Sequence, residues 1–234
     1  MALIQINPMN YQHYLDTLGD SVQQIVDVFE AHENGGWLNA LHRYNFEDMN
    51  HIDGQNQRNI FHNAIQNANN LNQRINVANE IMDWGNMLPL NENMMANLDM
   101  TLHSLDNDEN LNLNNICVDR IASISKIYEM WDPAAWVIFD SYCAKGLQWL
   151  VSNMWGANNN KTHEDLLRFP WPPGRVGEPI DGFPRLGTER QARLGFIYVS
   201  WLCRAIAEIL DHDQQEEWQA YHVEMVAFQI GHEV

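Results

Sequence analysis

Positive charge is scarce in this sequence. Its 234 residues include 13 lysines and arginines against 31 aspartates and glutamates, for a formal net charge of −18 at pH 7. Spread evenly, that charge would argue against any polyanionic ligand, because the whole surface would repel it. Long apolar runs are also missing, since none approaches the roughly 18 residues of a membrane-spanning helix. The first residues show no charged stretch followed by an apolar one, so we expect neither a membrane span nor a secretory signal.

Cysteine is rare as well. Cys117, Cys143 and Cys203 stand far apart in apolar contexts, and no CxxC pair is present. The sequence also lacks the GxxxxGK[ST], GxGxxG, HExxH and GxSxG motifs of phosphate-binding loops, dinucleotide sites, zinc proteases and serine hydrolases. It therefore predicts no metal and no cofactor. Unpaired thiols of this kind are typical of a reducing compartment, which indicates a cytoplasmic protein.

Apolar residues, in contrast, are plentiful. Hydrophobic residues make up 45% of the chain and include 9 tryptophans, which excludes a disordered acidic protein. Apolar positions recur at helical spacing, and strand patterns are few. The predicted helical segments are 11–32, 37–49, 59–84, 91–105, 112–131, 139–155, 188–210 and 214–230. The expected fold class is all-α, a helical bundle, and only residues 169–187, with five of the eight prolines, are expected to be irregular.

The charge divides the chain into two parts. Residues 1–110 carry 15 acidic side chains and three basic ones, whereas residues 120–204 carry ten basic and eight acidic ones. We therefore expect an acidic, Asn-rich helical part over 1–110 and a second helical part over 111–234, together forming one compact two-lobed unit. The second part would provide any contact with a nucleic acid. A simpler interpretation is that the acidic part only keeps the protein soluble.

One stretch of the second part has a pattern that suits chemistry. A helix runs into Asp132-Pro133, four apolar residues follow at 136–139, and Asp140 then begins the next helix. Burial would partly desolvate this carboxylate, while the helix N-terminus would keep it ionised. Such an anion can face a developing positive charge. The alternative is that Asp140 is only a helix N-cap.

The same stretch resembles the helix-hairpin-helix DNA glycosylase superfamily, and more specifically a bacterial group similar to 8-oxoguanine DNA glycosylase. The resemblance rests on Ser125-Lys126, Asp132-Pro133, the apolar run 136–139 and Asp140-Ser141, in that order. Further along, the residues that match are Tyr198, Val199, Ser200 and Trp201, then Val223, Glu224 and Met225, and finally Gly231. The likeness covers residues 112–231, and residues 1–110 have no counterpart.

The resemblance implies a helix-hairpin-helix glycosylase-like fold and a function in base excision repair. The protein would bind DNA and hydrolyse the N-glycosidic bond of a damaged or modified base, with Asp140 as the catalytic carboxylate and Lys126 as a further catalytic residue. A base turned out of the helix needs a pocket with aromatic walls. The candidate substrate-binding residues are Trp136, Tyr142, Trp171, Arg175 and Arg185.

Two departures from the family pattern affect this interpretation. The Schiff-base lysine of strand-cutting relatives stands further upstream of the aspartate, where this chain has residues 120–122 and no lysine. We therefore expect a monofunctional enzyme. The hairpin segment 110–120 also lacks glycine. This lack and the acidic charge leave two alternatives open: a non-catalytic interaction protein of the immunity, antitoxin or DNA-mimic type, and an enzyme for a free nucleobase or nucleoside.

Overall fold

The structure is a computed structural model that describes residues 10–106, 111–174, 177–213 and 217–234. Within these ranges the chain forms eleven α-helices and no strand, so the all-α fold class is confirmed. The helices are α1 Tyr11–Leu18, α2 Ser21–His32, α3 Gly36–His42, α4 His51–Gln66, α5 Leu71–Trp84, α6 Glu92–Leu105, α7 Ile121–Trp131, α8 Ser141–Asn158, α9 Glu164–Leu167, α10 Glu189–Asp213 and α11 Ala220–Glu233. None of the described helices combines the length and the apolarity that crossing a membrane requires.

Asparagine is the N-cap residue of several helices in the first half of the chain. The side chains of Asn10, Asn50, Asn70 and Asn91 each accept hydrogen bonds from backbone N–H groups in the first turn that follows. These donors have no partner inside the helix, and Asn is among the best residues to satisfy them. The abundance of Asn in this part of the chain therefore has a local structural use.

Five predicted segments differ from the structure. Within 112–131 the α7 helix begins only at Ile121, and the described part of 214–230 is helical only from Ala220. The other three divide or end early. The segment 11–32 divides into α1 and α2 at Gly19, which has a φ of +51°, and 59–84 divides between α4 and α5. The segment 37–49 is helical only as far as His42. Beyond it, Phe46 and Met49 exchange backbone hydrogen bonds of 3.1 and 2.9 Å around a tight turn. Glu47 and Asp48 take left-handed conformations in that turn, which ends the helical path.

The α8 and α11 helices pack with their backbones in contact. A Cβ atom at Gly146 of α8 would collide with the backbone of Ala227, and one at Gly231 of α11 would collide with the backbone of Tyr142. Glycine at both positions therefore lets the two helix backbones touch. Because Tyr142 lies in the first turn of α8, this contact fixes the start of that helix against α11.

One hydrophobic core joins the two halves of the chain. The Tyr14 ring of α1 stacks on Tyr198 of α10 with 5.6 Å between centroids, and it also contacts Trp201. The α4 and α5 helices pack on α7. The described part of the proline-rich segment 169–187 contains no helix. It is tied together at Trp171, whose N–H donates to Pro184 and whose carbonyl accepts from Leu186.

Candidate functional site

The N-terminus of α8 binds a carboxylate of the chain itself, that of Asp140. The Asp140 carboxylate caps the helix, with Oδ1 accepting from the N–H groups of Tyr142 at 2.9 Å and Cys143 at 3.0 Å. The apolar run before it is held by side chains of other helices. Ser125 accepts from the N–H of Phe139 at 3.0 Å, and Ser200 accepts from Val137 at 3.4 Å. The position of the carboxylate is therefore fixed from both sides.

Lys126 of α7 lies beside this carboxylate. Its Nζ is 3.8 Å from Asp140 Oδ2, and the two side chains are 5% and 19% exposed. Gly85, at the end of α5, makes room for the lysine stem, because a Cβ there would lie 2.6 Å from Lys126 Cδ. The two residues that the sequence singled out for chemistry therefore form a largely buried ion pair, although 14 positions separate them.

The ion pair lines a cavity of about 450 Å³. That volume lies within the usual range for small-molecule sites, roughly 300–1,000 Å³. One wall is aromatic: Tyr142 stacks on His232 with centroids 4.7 Å apart and planes 7° apart, and it contacts Phe228 at 5.3 Å. Phe46 from the tight turn packs on Phe228 at 5.9 Å. The polar lining residues, besides Lys126 and Asp140, include Asn45, Glu47, Asn86, Ser123 and Ser141.

A second, fully buried polar cluster lies behind the first turn of α8. Arg58 of α4 donates from Nε to Glu129 Oε1 and from Nη2 to Glu224 Oε2, both at 2.7 Å. The Cys143 thiol donates to the other oxygen of Glu224 at 2.9 Å. Burial raises the pKa of Glu224 to about 8 and also raises the pKa of the Cys143 thiol. Cys143 therefore connects the cavity to the core, since its N–H binds Asp140 while its thiol binds Glu224.

The sequence analysis did not find this cluster. Arg58 stands in a polar helical stretch, and it was counted only as one of three basic residues in an acidic region. Its side chain is 1% exposed. Glu129 stands one helical turn after Lys126 on α7, which is the single local hint that both belong to one polar system.

The structure places the predicted substrate-binding residues in different environments. Tyr142 lines the cavity. Trp136, by contrast, is fully buried, stacks on Phe196 at 5.4 Å and donates its indole N–H to the Leu105 carbonyl. It belongs to the core and offers no face to a substrate, because the apolar run 136–139 points into the bundle. Trp171 is 3% exposed and donates to the Ser141 carbonyl at 3.2 Å, so it supports the cavity wall from behind.

The predicted basic residues do not gather at the cavity. Arg185 packs on the Trp171 ring at 5.3 Å and pairs with Glu178 at 2.9 Å, while Arg175 lies outside the described residues. Arg168 and Arg193 pair with acidic residues one helical turn away. Among the residues that the structure describes, Lys126 is the one lysine or arginine that lines the cavity.

Across the described ranges, no group of three or more His, Cys, Asp and Glu side chains is arranged to hold a metal ion. The site therefore consists of a carboxylate held by a helix N-terminus, an adjacent ammonium group and an aromatic wall. This arrangement can stabilise a positive charge that develops on a flat, partly enclosed ligand. Comparison of the chain with protein-family models, with curated proteins and with solved structures finds no match.

Proposed function

We propose that the protein is a monofunctional DNA glycosylase that hydrolyses the N-glycosidic bond of a damaged or modified base in this cavity. The observation that carries the proposal is the placement of Asp140, which is capped, charge-paired with Lys126 and set at the edge of an aromatic-walled cavity. A base turned out of the duplex needs such walls, since stacking replaces the contacts that it leaves.

Asp140 is the catalytic carboxylate in this mechanism. The bond between the sugar C1′ and the base nitrogen breaks, and its electron pair leaves on the base. The sugar then carries an oxocarbenium-like positive charge, which the carboxylate stabilises. Water adds to C1′ and gives its proton to Asp140. Two backbone N–H donors hold the carboxylate in place, so little reorganisation is needed as the charge develops.

Lys126 binds and orients the carboxylate. Its ammonium group neutralises part of the charge of Asp140 in a largely buried position, which lowers the cost of burying the carboxylate. In this mechanism the amine forms no bond to the sugar. Reduction with borohydride in the presence of substrate should therefore trap no adduct, and an adduct that disappears in Lys126→Ala would make the enzyme bifunctional.

The direct test is base release from a panel of oligonucleotide duplexes that carry oxidised, alkylated or deaminated bases. Wild-type protein should release at least one of these bases, and Asp140→Asn should not. Asp53→Asn is the matched control, because Asp53 lies in the first turn of α4 away from the cavity and is exposed. Equal loss in both variants would remove the catalytic role of Asp140.

A free nucleoside is the second candidate substrate, and the charge distribution favours it. Arg168, Arg185 and Arg193 pair with neighbouring carboxylates, while Glu47 lines the cavity. A nucleoside carries no phosphate that needs cations. Cleavage of nucleosides without cleavage in duplex DNA would select this substrate class. Failure to cleave either would favour the non-catalytic acidic interaction protein.

A further inference from the structure

The cavity carries an acidic group that the proposed mechanism does not use. Glu47 lines the cavity with a solvent-exposed side chain, and among the described residues none forms an ion pair or a side-chain hydrogen bond with its carboxylate. Lys126 and Asp140 neutralise each other at 3.8 Å. The fixed charges that line the cavity therefore sum to one negative charge when His232 is neutral.

The backbone holds Glu47 at this position despite strain. It lies in the tight turn between Phe46 and Met49, where the N–H of Asp48 donates to Asn45 Oδ1 at 3.0 Å. Glu47 and Asp48 have φ angles of +49° and +68°, which side-chain-bearing residues rarely adopt. Positive φ at both central residues is what a type I′ turn requires, so the paired backbones of Phe46 and Met49 fix the conformation of Glu47.

Aromatic packing fixes the same turn. Phe46 contacts Phe228 at 5.9 Å and Trp84 at 5.6 Å, so the ring that precedes Glu47 is locked between α11 and α5. Asn86, which has a φ of +53°, lines the cavity from the loop after α5. Within the described ranges, the cavity therefore has one unpaired acidic residue, Glu47, in a fixed turn beside its aromatic wall.

This combination favours a flat cation as ligand. The faces of Phe46, Tyr142 and Phe228 carry negative electrostatic potential and attract a positively charged ring. The carboxylate of Glu47 adds a full charge, and the net charge of −18 gives the whole molecule a field of the same sign. A phosphate group or an anionic ring would be repelled by the same features.

We propose that Glu47 is a specificity-determining residue that makes the cavity select a nucleobase whose ring carries a positive charge. This inference rests on the proposed function in taking the ligand to be a nucleobase. It also fits the chemistry of the site. When the C1′–N bond of a cationic base breaks, the electron pair neutralises the ring, so the base leaves without receiving a proton from the protein.

Two isomeric nucleosides test the charge preference at constant size. At neutral pH, 1-methyladenosine is a cation and N6-methyladenosine is neutral. Wild-type protein should bind the cation about tenfold more tightly or better, as measured by calorimetry at low salt. Added salt should reduce the preference, because the attraction is electrostatic.

Glu47→Gln should bring the two affinities together while it keeps the shape of the turn. Glu92→Gln is the matched control, since Glu92 is an exposed carboxylate in the first turn of α6 outside the cavity, and it should preserve the preference. Thermal unfolding followed by circular dichroism checks that both variants fold.

The outcomes separate this inference from the proposed function. Equal affinities of wild-type protein for the two isomers, no binding of either, or an unchanged preference in Glu47→Gln would each overturn the selection by Glu47. A preference for the cation that Glu47→Gln abolishes supports the inference, even when the wild-type protein releases no base from any oligonucleotide. In that case the proposed glycosylase function is wrong, while the preference of the cavity for a positively charged base is still supported.

Discussion

At the residue scale, Asp140 combines a structural task with a chemical one, and two substitutions separate them. Asparagine caps a helix about as well as aspartate, so Asp140→Asn should lose stability only because the buried ammonium group of Lys126 loses its counter-charge. It removes the negative charge and should lower the rate of base release by ~10²–10³-fold. Asp140→Ala should lose the rate and, in addition, about 1 kcal/mol of stability. Urea unfolding and single-turnover kinetics measure the two effects.

Glu224 should make stability depend on pH. Its pKa rises from 4.5 to about 8 on folding, so the folded protein holds the proton more tightly and loses stability as the pH rises through that range. His222 acts in the opposite direction, because burial lowers its pKa to about 4 and its contribution is lost as the pH falls from 6.5. Between about pH 6.5 and 8 the effect of Glu224 should dominate.

We therefore expect the free energy of unfolding to fall by about 1–2 kcal/mol between these two pH values, since one proton is worth about 1.4 kcal/mol per pH unit. Glu224→Gln has no proton to lose and should flatten the decline. Urea titrations at several pH values provide the measurement. A decline of the same size in the variant would assign the effect to another group.

Arg58 holds two buried carboxylates, and its removal should be costly. Arg58→Met keeps much of the side-chain length but removes the buried donors that bind Glu129 and Glu224 and the cation that pairs with them. The loss should be roughly 3–5 kcal/mol. Arg43→Met is the surface comparison, since Arg43 pairs with Glu33 in an exposed position and should cost no more than about 1 kcal/mol. Similar denaturation midpoints for the two variants would contradict the buried role.

At the element scale, the contact between α8 and α11 determines where the first turn of α8 lies. Gly146→Ala would push a methyl group into the Ala227 backbone and should destabilise the fold by ~1–3 kcal/mol. Gly156 lies on the same helix with open space around it. Gly156→Ala should therefore stabilise the protein by roughly 0.5–1 kcal/mol. Opposite signs in the two melting temperatures are the expected result, and equal signs would contradict the close approach.

The helices also show which predictions the local periodicity of apolar residues supports. The predicted segment 188–210 agrees with α10, because an amphipathic stripe must face a core whatever that core contains, whereas 112–131 agrees with α7 only from Ile121 onwards. The same periodicity over 37–49 extends through a tight turn. Its rings Phe46 and Trp37 belong to different packing groups, one on Phe228 and one on Phe29. A period alone does not distinguish one helix from two short elements that share a core.

At the scale of the whole molecule, the uneven charge makes a prediction about DNA. If the protein contacts a duplex, the basic second half should provide the contact. Arg185→Glu should weaken binding and lower the slope of log affinity against log salt by about one unit per lost phosphate contact. Arg43→Glu, in the acidic half, should leave both quantities unchanged. Equal effects of the two reversals in fluorescence anisotropy titrations would remove the second half as the contact region.

The sequence by itself determined the features that depend on near neighbours. The helical class follows from local periodicity, and the cap at Asp140 needs only the two N–H groups that come two and three residues later. Lys126 and Asp140 were marked by the order of residues around them. For the helices and the cap, the atoms that interact lie within one or two turns of the chain, whereas the contact between Lys126 and Asp140 joins two helices.

Only the tertiary structure decided which side chains meet. Whether a tryptophan such as Trp136 lines a cavity or fills a core depends on which helix covers it, and here that helix is α10, which contributes Phe196. Arg58 is buried because Glu129 and Glu224 arrive from α7 and α11, far away in sequence. Glu47 lines the cavity because the packing of Phe46 on Trp84 and Phe228 holds its turn there. Burial and charge pairing are properties of long-range packing, and local pattern does not contain them.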